Sequence, residues 1–117
     1  MQYRMNALIM NWSSTNFYHG FLYAADSVKF HRLQDIPGVT LDSVTDSVLK
    51  LLDTAGLGMT EFSNSSKKAP SFANKGEAAV VIDYVEKLVN NGVTPGQIAV
   101  ITPYNYQVLN IRYSQHG

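Results

Sequence analysis

Apolar residues recur at helical spacing near the start of the chain. The positions i, i+3, i+4 and i+7, which form one face of a helix, are held by Met5, Leu8, Ile9 and Trp12. We therefore expect an amphipathic helix that opens at Gln2 and ends in the polar cluster at residues 13–16. The aromatic run from Phe17 to Tyr23, interrupted by Gly20, is expected to anchor a core around a turn.

Shorter patterns follow in the next third of the chain. Residues Ala25–Leu33 are expected to form a short helix, closed by a Pro-Gly pair. The apolar run Val48–Leu52 predicts a strand, and the Gly-containing segment 53–58 predicts the turn that ends it. From residue 61 to about residue 73 the composition turns to Ser, Asn, Lys and Pro, which predicts a solvated and mobile loop.

A longer helix is predicted after Asn74. Asn74 and Glu77 are spaced to cap a helix reciprocally, with Asn in place of the more usual Ser or Thr. Gly92 supplies a left-handed stop at the other end. The apolar face between them consists of Val81, Ile82, Val85, Leu88 and Val89.

The run Ile98–Ile101 contains no polar residue, as expected of a strand covered on both faces in a parallel sheet. Thr102 suits an N-cap and Pro103 the first helical position, so a helix is expected from Pro103 to about Tyr113. Free amides at a helix start beyond the carboxyl end of a strand attract anions. Residues Thr102 to Asn105 are therefore a candidate phosphate-binding corner, with an ordinary strand-to-helix turn as the alternative.

Composition narrows the function classes. The 117 residues suit one domain, and nine basic and nine acidic side chains cancel, so overall charge favours neither nucleic acid nor an anionic membrane. The chain has no cysteine, and its three widely spaced histidines predict no metal site. Without a long apolar run or a signal-peptide layout, we expect no membrane contact and a cytoplasmic or nuclear location.

Tyr3 and Arg4 are the first candidate for chemistry. A planar ring can stack on a base, and a guanidinium offers a permanently charged fork to phosphate oxygens, so the pair suits a nucleotide. The alternative is a helix start with two incidental side chains, and residues further along the chain have to decide between them.

Three blocks in order carry a family resemblance. They are Gln2-Tyr3-Arg4-Met5-Asn6 with the aromatic stretch after it, Ser71-Phe72-Ala73-Asn74-Lys75-Gly76-Glu77-Ala78, and Ile98-Ala99-Val100-Ile101-Thr102-Pro103-Tyr104-Asn105-Tyr106-Gln107. With the turn Asp53-Thr54-Ala55-Gly56, they resemble the start of the second RecA-like motor domain of superfamily 1 helicases. The resemblance is to the up-frameshift-like branch, especially the immunoglobulin mu-binding-protein helicases, and it extends from Gln2 to about Arg112.

This resemblance implies an α/β fold: an incomplete RecA-like, P-loop NTPase-type parallel sheet flanked by helices over residues 1–117. It implies nucleotide binding by Gln2, Tyr3 and Arg4, with Arg4 as the catalytic arginine that reaches the γ-phosphate across a cleft between two motor domains. It also implies that single-stranded DNA or RNA is contacted by Thr102, Pro103, Tyr104, Asn105 and Gln107. ATP and Mg²⁺ are the implied cofactors of the complete parent enzyme.

Several family features are absent from the sequence. It contains no Gly-Lys-Ser or Gly-Lys-Thr loop, no Asp-Glu pair for magnesium and no Gln-Gly-Arg-Glu motif, and Tyr106 stands where a smaller residue is usual. We therefore expect a fragment of a 5′-to-3′ helicase, inactive and without bound cofactor alone, marginally stable, with an exposed sheet edge. Its expected partners are the missing first motor domain or a full-length helicase. The alternatives are a non-enzymatic module that binds single strands or a helicase, and a non-functional gene-model fragment.

Overall fold

The computed structural model of the chain describes residues 1–64 and 69–114. These residues form two compact units, one built from Met1–Leu51 with Asn91–Val93, the other from Leu52–Asn90 with the described residues from Thr94 onward. The first unit holds helix α1 (Ala7–Phe17) and a 3-10 helix (Leu33–Asp35). The second holds strands β1 (Glu61–Ser63) and β2 (Phe72–Asn74), helices α2 (Lys75–Asn90) and α3 (Asn105–Ser114), and a 3-10 helix (Pro95–Gln97).

Helix α1 begins at Ala7, so the predicted start at Gln2 is wrong. Asn6 stops the helix there: its backbone is extended (φ −52°, ψ 146°), and its side-chain Oδ1 accepts the amide proton of Leu8 at 2.9 Å. The Nδ2 of Asn6 donates to the carbonyl of His31 at 2.8 Å, and the amide of Ala7 donates to the carbonyl of Lys29 at 3.0 Å. These bonds fix the start of the helix on the 29–31 segment.

The predicted apolar face of α1 is also wrong. Met10 and Ser14 are the buried residues of α1, whereas Leu8, Ile9 and Trp12 are exposed. The buried hydroxyl of Ser14 donates to the carbonyl of Leu22 at 2.6 Å, so the side of the helix that carries the small serine is the side turned inward.

The aromatic run 17–23 does not anchor a core, because Phe17, Tyr18, Phe21 and Tyr23 are all exposed. Its predicted turn is present, with positive φ at His19 and Gly20.

Two more predicted elements of the first unit do not form. Over 25–33 the structure has hydrogen-bonded turns on the carbonyls of Ala25 and Val28 instead of a helix. The 3-10 helix follows it, where the carboxylate of Asp35 accepts the amide proton of Arg32 at 2.8 Å and so caps a new start. Residues 48–52 are not a strand, since nothing among the described residues pairs with them.

Thr45 organises the turn at 40–45. It is fully buried. Its hydroxyl donates to the carbonyl of Thr40 at 2.6 Å and accepts the amide proton of Asp42 at 2.9 Å. The carboxylate of Asp42 accepts the amide proton of Val44 at 2.7 Å, and this bond lowers the pKa of Asp42 below its usual value. Side-chain bonds to the backbone thus replace regular structure in this part of the first unit.

The sheet of the second unit is antiparallel. β1 and β2 pair with Phe62 opposite Ala73, inside the segment predicted to be a loop. Residues 65–68 of that segment lie outside the described residues. The parallel pairing expected of the fold class is limited, in the described chain, to one isolated bridge between Gln2 and Ala24 in the first unit.

Helix α2 begins where the sequence predicts. Asn74 Oδ1 accepts the amide proton of Glu77 at 3.0 Å. The predicted return bond from Glu77 to the amide of Asn74 is wrong, because that amide donates to Gln107 at 2.8 Å. At the other end the left-handed stop is confirmed, with φ of +95° at Gly92.

The predicted buried strand at Ile98–Ile101 is not present. Ile98 is extended (φ −113°, ψ 131°), but no strand among the described residues pairs with the segment, and Ile101 is 92% exposed. Helix α3 starts at Asn105 rather than Pro103. The observed architecture is thus mixed helix and strand with one small antiparallel sheet. No helix of the described chain combines the length and apolar character that crossing a membrane requires.

Replacing Gly92 with alanine should destabilise the fold. A Cβ there would overlap the carbonyl oxygen of Gly38, and the left-handed backbone is itself unfavourable for alanine, so the expected loss is about 2 kcal/mol or more. Gly96→Ala is the matched control, since a Cβ at Gly96 has nothing within 4 Å. Urea denaturation followed by circular dichroism measures both. Equal midpoints for the two variants would contradict the placement of Gly92.

Candidate nucleotide and nucleic-acid sites

In the first unit, the side chain of Gln2 holds the turn that carries Tyr3 and Arg4. Its Oε1 accepts the amide protons of Arg4 and Met5, both at 2.8 Å, and its Nε2 donates to the carbonyl of Met5 at 2.7 Å. The main chain of Gln2 is bonded to the segment 23–25 on both sides. The side chain of Gln2 is therefore bonded to the backbone, and the turn that it holds leaves Tyr3 and Arg4 exposed.

Tyr3 and Arg4 are available to a ligand. The Tyr3 side chain is 68% exposed, and Arg4 is exposed as well. Arg4 lines an open cavity of about 320 Å³ together with His31, Arg32 and Ser47. No acidic residue lines this cavity among the described residues, and neither arginine is in an ion pair there. The arrangement is suited to an anion.

The first unit fits part of a nucleotide. The exposed ring of Tyr3 suits a base, and the guanidinium of Arg4 suits phosphate oxygens. The described residues do not provide a Mg²⁺ site. Residues 1–64 and 69–114 contain no group of three or more His, Cys, Asp or Glu side chains that could hold a metal.

In the second unit, the residues Thr102 to Asn105 lead into α3, and all of them except the partly buried Thr102 are exposed. Thr102 Oγ1 accepts the amide proton of Tyr104 at 3.4 Å. In the first turn of α3, the amide of Tyr106 donates to the hydroxyl of Ser71 at 3.1 Å. The amide of Asn105 has no hydrogen-bond partner in the described part of the chain, and it is the donor that remains for a phosphate.

Tyr104 is partly exposed and braced by a second aromatic ring. Its ring and that of Phe72 form an edge-to-face pair with centroids 5.4 Å apart, and 43% of the residue is exposed. Pro103 and Asn105 beside it are also exposed. A partly exposed aromatic ring that a neighbouring ring holds in place suits stacking by a base.

Gln107 is placed differently from the other four predicted nucleic-acid contacts. It is only 8% exposed, its Oε1 accepts the amide proton of Asn74 at 2.8 Å, and its Nε2 donates to the carbonyl of Asn74 at 3.1 Å. Both polar atoms of its side chain are therefore occupied by the backbone.

Charge differs between the two sides of Thr102. A cavity of about 240 Å³ that includes Thr102 and Tyr104 is also lined by Glu61 and Glu77, which repel phosphate. A second cavity, of about 200 Å³, is lined by Thr102 and Arg112 with apolar neighbours. Sequence analysis missed Arg112 as a candidate. Its i+4 spacing from Val108, which places both residues on one helix face, was the available signal.

Comparisons with known proteins give the family. A family model described as an AAA domain matches residues 1–116. The chain is 44% identical over 114 residues to the DNA-binding protein SMUBP-2 of Rattus norvegicus, an alignment that covers 97% of this chain and 11% of the relative. It is 36% identical over 117 residues to the DNA polymerase alpha-associated DNA helicase A of Schizosaccharomyces pombe, covering 96% of this chain and 17% of that protein. The ATP-dependent helicase upf1 of Schizosaccharomyces pombe is 32% identical over 109 residues, an alignment that covers 92% of this chain and 11% of that protein.

The chain belongs to the AAA domain family. Its resemblance to superfamily 1 helicases of the up-frameshift-like branch is confirmed by these relatives, of whose length it spans between 11% and 17%.

Substituting Gln2 with leucine should loosen the turn that presents Tyr3 and Arg4. Since the substitution removes the acceptor of two backbone protons, amide exchange at Arg4 and Met5 should accelerate by about tenfold. NMR-detected hydrogen exchange measures this. Gln34→Leu is the control, because the buried Oε1 of Gln34 has no hydrogen-bond partner among the described residues. Unchanged exchange at Arg4 and Met5 in the Gln2 variant would contradict the assigned role.

Proposed function

We propose that this chain forms part of the second RecA-like motor domain of an ATP-dependent nucleic-acid helicase. The observation that carries the proposal is the 44% identity, over 97% of the chain, to a DNA-binding protein, with identities of 36% and 32% to named helicases. The two exposed sites suit the two ligands of such a motor: an aromatic-arginine pair for a nucleotide, and a helix start with an aromatic platform for a single strand. The motor would act in the cytoplasm or the nucleus.

At the nucleotide, Tyr3 lies against the adenine and Arg4 places its charge on the γ-phosphate. Both side chains are exposed, as an arginine supplied across a cleft between two motor domains has to be. Bound ATP with Mg²⁺ supplies the phosphoryl group for transfer, and other parts of the motor hold it. Arg4 stabilises the developing negative charge only when the cleft closes, which couples nucleotide state to domain position. Gln2 contributes by holding the turn.

At the nucleic acid, Thr102, Pro103, Tyr104 and Asn105 contact single-stranded DNA or RNA. The Thr102 hydroxyl and the free Asn105 amide suit a phosphate, and the Tyr104 ring suits a base. Arg112 adds positive charge on one side of Thr102, whereas the glutamates on the other side exclude phosphate. Contacts of this kind tolerate any base sequence, as a translocating motor requires.

The segment Ile98–Ile101 acts as a strand of a parallel, RecA-like sheet when neighbouring strands are present. Its support is an open apolar groove of about 510 Å³ between this segment and α2. Apolar residues on both sides of the groove include Val81, Val85, Leu88, Ile98 and Val100. An apolar segment that pairs with no strand among the described residues, beside an apolar helix face, suits the edge of a sheet that further strands cover.

The alternative is a non-enzymatic module that binds single strands or associates with a helicase. The surface at Tyr104 supports binding in either case, so ATP turnover and strand binding have to be measured separately.

The purified chain should not hydrolyse ATP, with or without a single-stranded oligonucleotide. The reason is that its sequence contains no Gly-Lys-Ser or Gly-Lys-Thr loop to hold the triphosphate. Phosphate release measures this, with Arg4→Ala as the test variant and Arg32→Ala as the matched control. Turnover that persists in the control and disappears in Arg4→Ala would contradict the proposal that the chain is inactive alone.

Tyr104→Ala should weaken binding of a labelled single-stranded oligonucleotide at low salt by about tenfold, because one base loses its stacking partner. Tyr113→Ala, which removes an exposed tyrosine near the end of α3, should leave the affinity unchanged. Fluorescence anisotropy measures both. Absence of binding by the unmodified chain at low salt would remove the nucleic-acid part of the proposal.

A further inference from the structure

Gln107 closes a ring of contacts in the second unit. Its backbone amide donates to the carbonyl of Tyr104 at 3.0 Å, and its side chain is bonded to both polar groups of the Asn74 backbone. Two residues before Asn74, Phe72 meets the ring of Tyr104 at 5.4 Å. The start of α3 is thus tied to β2 at two points, once by a carboxamide and once by the aromatic pair.

Asn74, to which the Gln107 side chain is bonded, makes further hydrogen bonds within the second unit. Asn74 ends β2 and caps α2 through the amide of Glu77, and its Nδ2 donates to the carbonyl of Met59 at 3.2 Å. Because these bonds fix Asn74 from the other side, the carboxamide of Gln107 is anchored to a rigid point. Asn110 Nδ2 adds a long contact to the same carbonyl, at 3.5 Å, and donates to Gln107 Oε1 at 3.3 Å.

At neutral pH the contact with both Asn74 groups depends on the glutamine side chain. The contact needs one acceptor and one donor on the same planar group, which glutamate lacks when ionised and leucine lacks altogether. Asparagine is one methylene shorter. Since Gln107 is 8% exposed, losing it leaves the Asn74 amide without this acceptor and the Asn74 carbonyl with the long contact from Asn110.

We propose that Gln107 is a positioning residue for the single-strand surface: it holds Tyr104 against Phe72 and does not itself contact nucleic acid. The role in strand binding rests on the proposed function. The positioning of the ring stands on the geometry alone. Gln107 therefore acts on a bound strand through Tyr104.

The structural part is tested by NMR on the full chain with Gln107→Leu and Gln107→Glu. Proton contacts between the Phe72 and Tyr104 rings should be present in the unmodified chain and lost in Gln107→Leu at every pH. In Gln107→Glu they should be lost at about pH 8, where the carboxylate has no donor for the Asn74 carbonyl. They should return at about pH 4, below the usual pKa of a glutamic acid side chain, because the neutral acid has both a donor and an acceptor.

Asn110→Ala is the control and should keep the ring contacts at both pH values, because its bonds to Asn74 and Gln107, at 3.5 and 3.3 Å, are longer than the 2.8 and 3.1 Å bonds between Gln107 and Asn74. Ring contacts that survive in Gln107→Leu, or that fail to return in Gln107→Glu at low pH, would overturn the proposal. If Gln107→Leu does not fold, the pH-dependent return in Gln107→Glu still decides the question.

The functional part is tested by oligonucleotide affinity in a double-mutant cycle. Gln107→Leu should weaken binding about as much as Tyr104→Ala, and the double variant should be no weaker than Tyr104→Ala alone, because both act on the same ring. Independent, multiplying losses would show that Gln107 contacts the strand directly, and would overturn the proposal. If the unmodified chain binds no oligonucleotide, the proposed function fails, while the ring contacts still report whether Gln107 positions Tyr104.

Discussion

Carboxamide side chains bonded to the main chain hold the described structure together at its bends. Gln2, Asn6, Asn74 and Gln107 each accept a backbone proton through the side-chain oxygen and donate to a backbone carbonyl through the nitrogen. Backbone polar groups that are removed from water need partners, which helices and sheets normally supply. Here the described sheet consists of two three-residue strands, and side chains bond part of the backbone between the regular elements.

This constraint explains how both candidate sites come to be exposed. Gln2 uses its carboxamide on the turn beneath Tyr3 and Arg4, and Gln107 uses its own beneath Tyr104. In each unit a glutamine points inward and the chemically useful side chains point outward. The glutamines therefore hold the geometry of both candidate sites.

Local signals predicted part of the fold from the sequence. The start of α2 at Asn74 and its left-handed stop at Gly92 depend on residues a few positions apart, and both are confirmed. Strands depend on distant partners, which is why the apolar run Ile98–Ile101 misled the prediction: with no neighbouring strand it stays extended and exposed. The start of α1 could have been predicted from Asn6, a good N-cap residue, but the apolar spacing that begins at Met5 indicated an earlier start.

The family could be predicted because its motifs are contiguous. The two hydrogen bonds between the Gln107 side chain and the Asn74 backbone could not be predicted. Gln107 and Asn74 are 33 positions apart, and no local pattern indicates such a contact.

The central claim is that carboxamide side chains bonded to the main chain hold the described structure together. Amide hydrogen exchange along the whole unmodified chain tests this claim most directly. The carboxamide-bonded amides of Met5, Leu8, Asn74 and Glu77 should exchange markedly more slowly than those of Ala99, Val100 and Ile101, which lack partners in the described structure. Similar rates in the two groups would contradict it.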